Sequence, residues 1–179
     1  MNIYLVRHCQ AEGQSPDAQL TEEGYKQAER LADFFHGTNI EAIVASPFVR
    51  AQQSAIPLAN RLGLDVLTDD RLSERILCGA DDPNWRDMLS ETFSDLDLCY
   101  EGGESSREAM GRALSAIQDL KGSGRKHAVV ITHGNLMSLV LKHYDQTFGF
   151  EQWEALTNPD VYHLSLASSI PAIRRIWTN

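Results

Sequence analysis

Residues 3–8, with the sequence IYLVRH, place an Arg-His pair directly after a short apolar run. A run of this length and composition predicts a buried β-strand. Burial of the arginine without a partner would be strongly unfavourable, because a charged group loses its hydration inside a protein. We therefore expect Arg7 and His8 to lie at the end of the strand and to face an anion at the edge of a sheet.

Two later segments repeat this arrangement of an apolar strand followed by polar side chains. Residues 43–50, IVASPFVR, place Arg50 shortly after a strand, and residues 129–134, VVITHG, do the same for His133. In open sheets of parallel strands, ligands bind beyond the carboxyl ends of the strands. The three strand ends together predict a phosphate pocket with an imidazole nucleophile.

Helical patterns separate the predicted strands. Thr21 is expected to cap a first helix that has Tyr25 on its buried face, and Ser46 is expected to cap a second helix. Ser105 and Glu108 form a capping box that predicts the start of a later helix. Strands that alternate with helices indicate an α/β fold, a three-layer α/β/α sandwich with a mostly parallel central sheet and helices on both faces.

The length of the chain, 179 residues, predicts a single domain over residues 1–179. Residues 69–104 are its least regular part, and we expect an insertion there, near the site, with a short helix over 85–93. Two C-terminal segments, 161–167 and 172–177, are expected to be edge strands. Because an exposed edge strand can pair with another chain, a homodimer is one assembly to consider.

The formal net charge of −9 restricts the classes of partner. It argues against nucleic acid and against an anionic membrane, and it requires any anion site to be local. No apolar stretch approaches the roughly 20 residues that span a bilayer, and the N-terminus lacks the sections of a signal peptide. We therefore expect a cytoplasmic protein.

The three cysteines, Cys9, Cys78 and Cys99, show no metal-ligand spacing. None is followed by an arginine at the spacing that cysteine-dependent phosphatases need, so that chemistry is not expected. The histidines show no ligand spacing either. We expect a reduced protein that holds no metal and needs no cofactor.

Three segments resemble the histidine phosphatase superfamily, also called the phosphoglycerate mutase-like family: LVRHC at 5–9, SPFVRAQQS at 46–54 and ITHG at 131–134. Three further matches follow in the order of the family: LTEEG at 20–24, LSER at 72–75 and GGES at 102–105. Together they cover about residues 1–145. The resemblance implies the fold predicted above and phosphoryl-transfer chemistry.

His8 is the candidate nucleophile. An imidazole nitrogen can attack phosphorus and later leave, which splits hydrolysis into two easier displacements. Within the LSER segment, Glu74 is implied as the acid that protonates the leaving alcohol and as the base that activates water. Four nearby acids stay open as alternatives for this role: Asp69, Asp70, Asp81 and Asp82.

The remaining site residues are implied to hold the phosphoryl group. Arg7 and Arg50 offer planar sets of N–H donors that suit phosphate oxygens. His133 is implied to contact the phosphoryl oxygens and to stabilise charge in the transition state, so we count it and both arginines as catalytic. Gly134 opens a helix whose N–H groups can face an anion. Gln14 stands where the family commonly has an amide side chain that touches phosphate.

Two positions depart from the family pattern. Cys9 stands where the family usually has glycine, and a Cβ there costs roughly 1 kcal/mol if the position needs a positive φ. Ala11 stands where the family often has a hydroxyl group that could bind phosphate. Neither departure removes a catalytic group.

These residues favour a metal-independent phosphomonoester phosphatase that forms a phosphohistidine on His8, with a small phosphorylated metabolite as substrate and inorganic phosphate as product. Two alternatives stay open: a mutase that moves phosphate within a sugar acid, and a non-catalytic module that binds phosphorylated ligands. The substrate could be a sugar phosphate, a nucleotide-derived phosphate such as α-ribazole phosphate, or a phosphohistidine protein. Trp85 and Phe93 are candidates for contact with its organic part.

Overall fold

The structure is a computed structural model that describes residues 1–168 and 170–178. Its strands are β1 (Asn2–Arg7), β2 (Ala42–Ala45), β3 (Val66–Thr68), β4 (His127–Thr132), β5 (Asp160–Ser165) and β6 (Ala172–Arg175). Its helices are α1 (Glu22–Phe34), α2 (Val49–Leu62), α3 (Trp85–Ser94), α4 (Ser106–Gly122), α5 (Gly134–Tyr144) and α6 (Phe150–Glu154). Across these described residues, no helix has the length and apolar character needed to cross a bilayer.

The six strands pair in the order β3-β2-β4-β1-β5-β6. β3, β2, β4 and β1 run parallel to one another, whereas β5 is antiparallel to both of its neighbours. The predicted, mostly parallel sheet is therefore confirmed. The prediction that both C-terminal strands lie at an edge is wrong for β5, because β5 lies between β1 and β6 and only β6 is at the edge.

Two apolar cores lie on opposite faces of the sheet. Along β1, Ile3 and Leu5 belong to one core and Val6 belongs to the other, as the alternation of side chains in a strand requires. The first core holds the buried stripes of α4 and α5, and the second holds those of α1 and α2. Helices therefore cover both faces of the sheet, which confirms the three-layer α/β/α arrangement.

The first helix begins where its cap was predicted. Oγ1 of Thr21 accepts a hydrogen bond from the N–H of Gly24 at 2.9 Å. The capping box of Ser105 and Glu108 is likewise present at the start of α4. The prediction for Tyr25 is wrong, since its side chain is 47% exposed and lies outside the buried face of α1.

Residues 69–104 pack against the core that holds α4 and α5. Leu72, Leu89 and Phe93 are all buried there. Phe93 is only 6% exposed, so its ring is part of the core, and the prediction that it contacts substrate is wrong. Trp85, at the start of α3, is 48% exposed. The short helix is confirmed, while the division into one domain with an insertion stays a prediction.

Candidate active site

Side chains from three strand ends meet at the carboxyl-end edge of the parallel strands. Arg7 is the last residue of β1, and it lies in register with Thr132 at the end of β4. His8 follows β1 and its N–H donates to the carbonyl of Thr132 at 3.0 Å, while His133 follows β4. Arg50 comes from the first turn of α2, which follows β2. The structure thus brings the four predicted side chains to one edge of the sheet.

His8 is buried and has one hydrogen bond on each ring nitrogen. Nδ1 lies 2.7 Å from the carbonyl oxygen of Cys9, which can only accept, so Nδ1 carries the proton. Nε2 accepts a hydrogen bond from Nε of Arg50 at 3.1 Å, which agrees with a lone pair on Nε2. Burial, aided by the charges of Arg50 and Arg7, lowers the pKa of His8 to about 3. The imidazole is therefore neutral near pH 7, as a nucleophile must be.

Arg50 connects His8 to the loop that follows it. Its side chain is 1% exposed, and Nη1 donates to the carbonyls of Gln14 at 3.1 Å and Ser15 at 2.7 Å. Burial lowers the pKa of this guanidinium. The bonds to Gln14 and Ser15 both use Nη1, so the N–H groups of Nη2 remain available to another acceptor.

Arg7 approaches the start of α5 closely. Nη1 donates to the carbonyl of Leu156 at 3.1 Å, whereas Nε is buried without a hydrogen-bond partner. A Cβ at Gly134 would lie 3.1 Å from that Nε, so glycine is what permits the approach. Within the described part of the chain, neither Arg7 nor Arg50 forms an ion pair. The buried guanidinium of Arg50 and the half-buried guanidinium of Arg7, neither of them in an ion pair, favour a bound anion.

His133 is fully buried and lies edge to face with His8, with ring centroids 5.1 Å apart. Nε2 of His133 lies 2.7 Å from Oγ of Ser46, and Nδ1 has no hydrogen-bond partner. Burial and the neighbouring charges lower its pKa, so the ring is neutral. The prediction that Ser46 caps α2 is wrong: α2 begins only at Val49, with Phe48 as its N-cap residue. Ser46 instead orients His133.

Glu74 binds the N-terminus of α5. Its Oε1 accepts from the N–H groups of Arg75 and Leu136, each at 2.9 Å, and its Oε2 accepts from that of Asn135 at 3.1 Å. The expectation that the N–H groups of α5 face phosphate is therefore wrong for Asn135 and Leu136. A carboxylate at this helix end is stabilised by the helix dipole. Because Glu74 also lines the cavity described next, it can still reach a substrate oxygen.

A cavity of about 820 Å³ opens in front of His8. One group of lining residues lies at the strand ends with His8: Arg7, Gln14, Glu74, Gly134 and Asn135. The other group forms a wall away from the strand ends: Ile76, Asp81, Asp82, Trp85, Leu89 and Trp153. Arg50 and His133 do not line the cavity, since they contact the ring of His8 from within the protein. Contact between the Gln14 side chain and phosphate stays a prediction.

Cys9 is buried behind the site. Its N–H donates to Oγ of Ser54 at 2.9 Å, and that hydroxyl donates to the carbonyl of Arg50 at 2.7 Å. Among the described residues, only glycines have positive φ, so the backbone strain considered for Cys9 does not arise. Burial raises the pKa of its thiol to about 12. In residues 1–168 and 170–178 there is no group of three His, Cys, Asp or Glu side chains that could hold a metal ion.

Two residues of the site have roles that the sequence analysis missed. Nδ2 of Asn158 donates to the carbonyl of His8 at 2.7 Å, and Ser46 holds His133. Ser46 could have been found, because it follows β2 directly just as His8 follows β1.

The sequence matches a family model described as the histidine phosphatase superfamily (branch 1) over residues 3–177. It is 38% identical to a Yersinia pestis (strain Pestoides F) protein named "Probable phosphoglycerate mutase GpmB", over 79% of this chain and 73% of that protein. It is 25% identical to phosphoserine phosphatase 1 of Hydrogenobacter thermophilus, over 74% and 71% of the two chains. The solved complex of the mycobacterial glucosyl-3-phosphoglycerate phosphatase Rv2419c with inorganic phosphate is 25% identical and superposes with a TM-score of 0.78, covering 98% of this chain and 95% of that one.

Proposed function

The chain belongs to the histidine phosphatase superfamily, and from that premise we propose that it hydrolyses phosphomonoesters through a phosphohistidine on His8. One observation carries the proposal. The Nε2 lone pair of a neutral, buried His8 lies beside Arg50, with Arg7 close by, and neither guanidinium has a carboxylate partner among the described residues. Glu74 is near enough to act electrostatically on both guanidinium groups, but it is not ion-paired to either, so a phosphoryl dianion can pair with both and bring phosphorus to the lone pair.

In the first step, Nε2 of His8 attacks phosphorus while the bond from phosphorus to the alcohol oxygen breaks. Arg50 donates to Nε2 in the resting site, so it must transfer this hydrogen bond to a phosphoryl oxygen before attack. Arg7 and His133 stabilise the charge on the phosphoryl oxygens as it develops. Glu74, as the general acid, delivers the proton that the leaving alcohol oxygen takes up.

In the second step, Glu74 takes a proton from water, and the water oxygen attacks phosphorus. The bond between phosphorus and nitrogen breaks, and its electron pair returns to Nε2 of His8. His8 ends neutral, with Nδ1–H still donating its hydrogen bond to the carbonyl oxygen of Cys9. Inorganic phosphate leaves, and Glu74 holds the proton for the next cycle.

The test is acid-labile phosphoenzyme trapping with a radiolabelled phosphomonoester, in the presence of EDTA. Wild-type protein should release phosphate and carry label on histidine. His8→Ala should lose both, and His36→Ala, which removes an exposed histidine, is the matched control that should keep both. Undiminished turnover in His8→Ala would contradict the proposal.

The mutase alternative draws support from the name of the relative at 38% identity. A mutase must hold a second acidic group of its substrate. Among the described residues that line the cavity, the only arginine or lysine side chains are those of Arg7 and Arg75. The guanidinium of Arg75 donates to the hydroxyls of Thr92 and Ser106. This charge distribution favours the phosphatase. Interconversion of phosphoglycerates without net phosphate release would instead favour the mutase, and phosphate-sensitive binding without turnover would favour the binding module.

The same proposal extends to the setting in which the enzyme works. A small phosphorylated metabolite in the cytoplasm is its substrate, and the net charge of −9 supports the exclusion of nucleic acid and anionic membranes as partners. The unpaired edge of β6 could join two copies. Sedimentation equilibrium would test the dimer.

A further inference from the structure

The cavity wall away from the strand ends combines two tryptophans with two carboxylates. Trp85 and Trp153 meet edge to face, with ring centroids 6.2 Å apart and an interplanar angle of 80°. Asp81 and Asp82, here called the aspartate pair, line the same cavity. Neither aspartate forms an ion pair with any residue that the structure describes.

The cations of the neighbouring segments are directed elsewhere. Nη1 of Arg75 donates to the hydroxyls of Thr92 at 2.8 Å and Ser106 at 2.9 Å, inside the protein. Arg86, next to Trp85, pairs with Glu154. Oδ1 of Asp82 accepts a hydrogen bond from the N–H of Asn84 at 2.7 Å, and neither carboxylate of the aspartate pair has a cationic partner among the described residues.

A second observation points to a polar ligand in this cavity. Asn135 is 7% exposed and lines the cavity, yet neither Oδ1 nor Nδ2 has a hydrogen-bond partner. An unpaired buried amide is unfavourable, and a ligand with donors and acceptors of its own relieves the cost. The volume of about 820 Å³ is far larger than a phosphate alone requires, and it lies within the range of sites for small organic ligands.

We propose that the preferred substrate is a phosphomonoester whose alcohol part carries both an aromatic or similarly flat apolar group and a protonated amine. This inference rests on the proposed phosphatase function. The apolar group packs on Trp85 and Trp153, and the ammonium is attracted by the aspartate pair and by the faces of the indole rings. An alcohol part that carries a carboxylate meets like charge at the aspartate pair and binds less well.

Three aryl phosphates of similar size test the inference: tyramine phosphate with an ammonium, 4-ethylphenyl phosphate without charge, and 4-phosphonooxyphenylacetate with a carboxylate. Wild-type kcat/KM should be about 5-fold to 10-fold higher for the ammonium ester than for the neutral ester, and lowest for the carboxylate ester. Because ions screen exposed charges, this preference should shrink in concentrated salt. Equal or reversed values would overturn the inference.

The double variant Asp81→Asn with Asp82→Asn should lower the ratio between the ammonium and neutral esters, mainly through KM, and leave only the part that the indole rings contribute. Asp87→Asn, which removes one negative charge from α3 at a position that does not line the cavity, should keep the wild-type ratio. An unchanged ratio in the double variant would overturn the inference.

His8→Ala separates this inference from the function on which it rests. If His8→Ala still hydrolyses 4-ethylphenyl phosphate, the proposed function fails and the inference fails with it. If hydrolysis of the neutral ester depends on His8 but wild-type protein shows no preference for the ammonium ester, only the inference fails.

Discussion

The strand ends and the wall of the cavity are built in different ways. At the strand ends, His8, Arg50 and His133 are buried and held by hydrogen bonds from several elements. The wall uses α3, α6 and the loop before α3, where Trp85 and Asp81 are exposed. Under the proposed function, the difference separates two tasks: the sheet edge fixes the reacting groups, and the irregular segment contacts the part of the substrate that varies. Changes at the strand ends should affect all substrates, and changes in the wall should affect the choice among them.

Arg50→Ala should have the largest effect. We expect kcat/KM to fall about 100-fold to 1,000-fold for every phosphomonoester, because a donor to the transferring group is lost. The loop carbonyls of Gln14 and Ser15 also lose their partner. Steady-state kinetics on chemically different esters measures this, with Arg86→Ala, an exposed arginine of α3, as the control. If kcat/KM fell for only one class of ester, Arg50 would affect the choice of substrate, and the distinction between the two regions would be wrong.

Glu74→Gln should separate the two chemical steps. Loss of a general acid should lower kcat for alkyl phosphates about 100-fold. The leaving group of p-nitrophenyl phosphate needs no proton, so its first step should continue while the second step slows. A burst of nitrophenol and accumulated phosphoenzyme in rapid-quench experiments would show this. A uniform loss without a burst would argue that Glu74 acts only by holding α5, and Glu151→Gln on α6 serves as the matched control.

The buried histidines should make the strand ends sensitive to acid. The pKa of His8 is about 3 in the folded protein, whereas an unfolded histidine has a pKa near 6.5. Between these values the unfolded chain binds a proton that the folded chain does not, so the free energy of unfolding falls as the pH falls below 6.5. His8→Gln should remove up to about 1.4 kcal/mol per pH unit of this dependence. Urea unfolding at several pH values measures it, and equal slopes in variant and wild type would contradict the expectation.

Ser105→Ala should have the smallest effect. It removes the capping box of α4, which follows the irregular segment, and should cost about 1 kcal/mol in the free energy of unfolding. We expect kcat/KM to be unchanged, since Ser105 does not line the cavity. Urea unfolding and kinetics on the same preparation measure both quantities, and Ser105→Thr should retain the cap. A large loss of activity would mean that the wall and the strand ends are coupled.

The strand ends could be predicted from sequence because each depends on a local pattern. An apolar run that stops at a charged residue, as in β1, identifies both the strand and the side chains at its end. Parallel pairing then brings Arg7, Arg50 and His133 together without any knowledge of distances.

The wall and the inner contacts of the site could not be predicted in this way. Glu74 contacts α5 across 61 and 62 positions of sequence, and no local pattern encodes such a contact. Ser46 followed by proline has the pattern of a helix cap, but its hydroxyl contacts His133 across 87 positions instead. Tyr25 has the helical spacing of a buried residue, yet its side chain is exposed. Spacing along the sequence indicates which residues share a face of a helix, but it does not determine how far along that helix the neighbouring layer reaches.

The position of β1 in the sheet also determines at what stage of its synthesis the protein can become active. β1 precedes the other described strands along the chain, yet it lies between β4 and β5, the latter starting at Asp160. Leu156 holds Arg7 across 149 positions, and Asn158 holds His8 across 150. Under the proposed function, a growing chain that already carries His8 is therefore inactive until Leu156, Asn158 and β5 have been made, and contacts between such distant parts of a chain are slow to form.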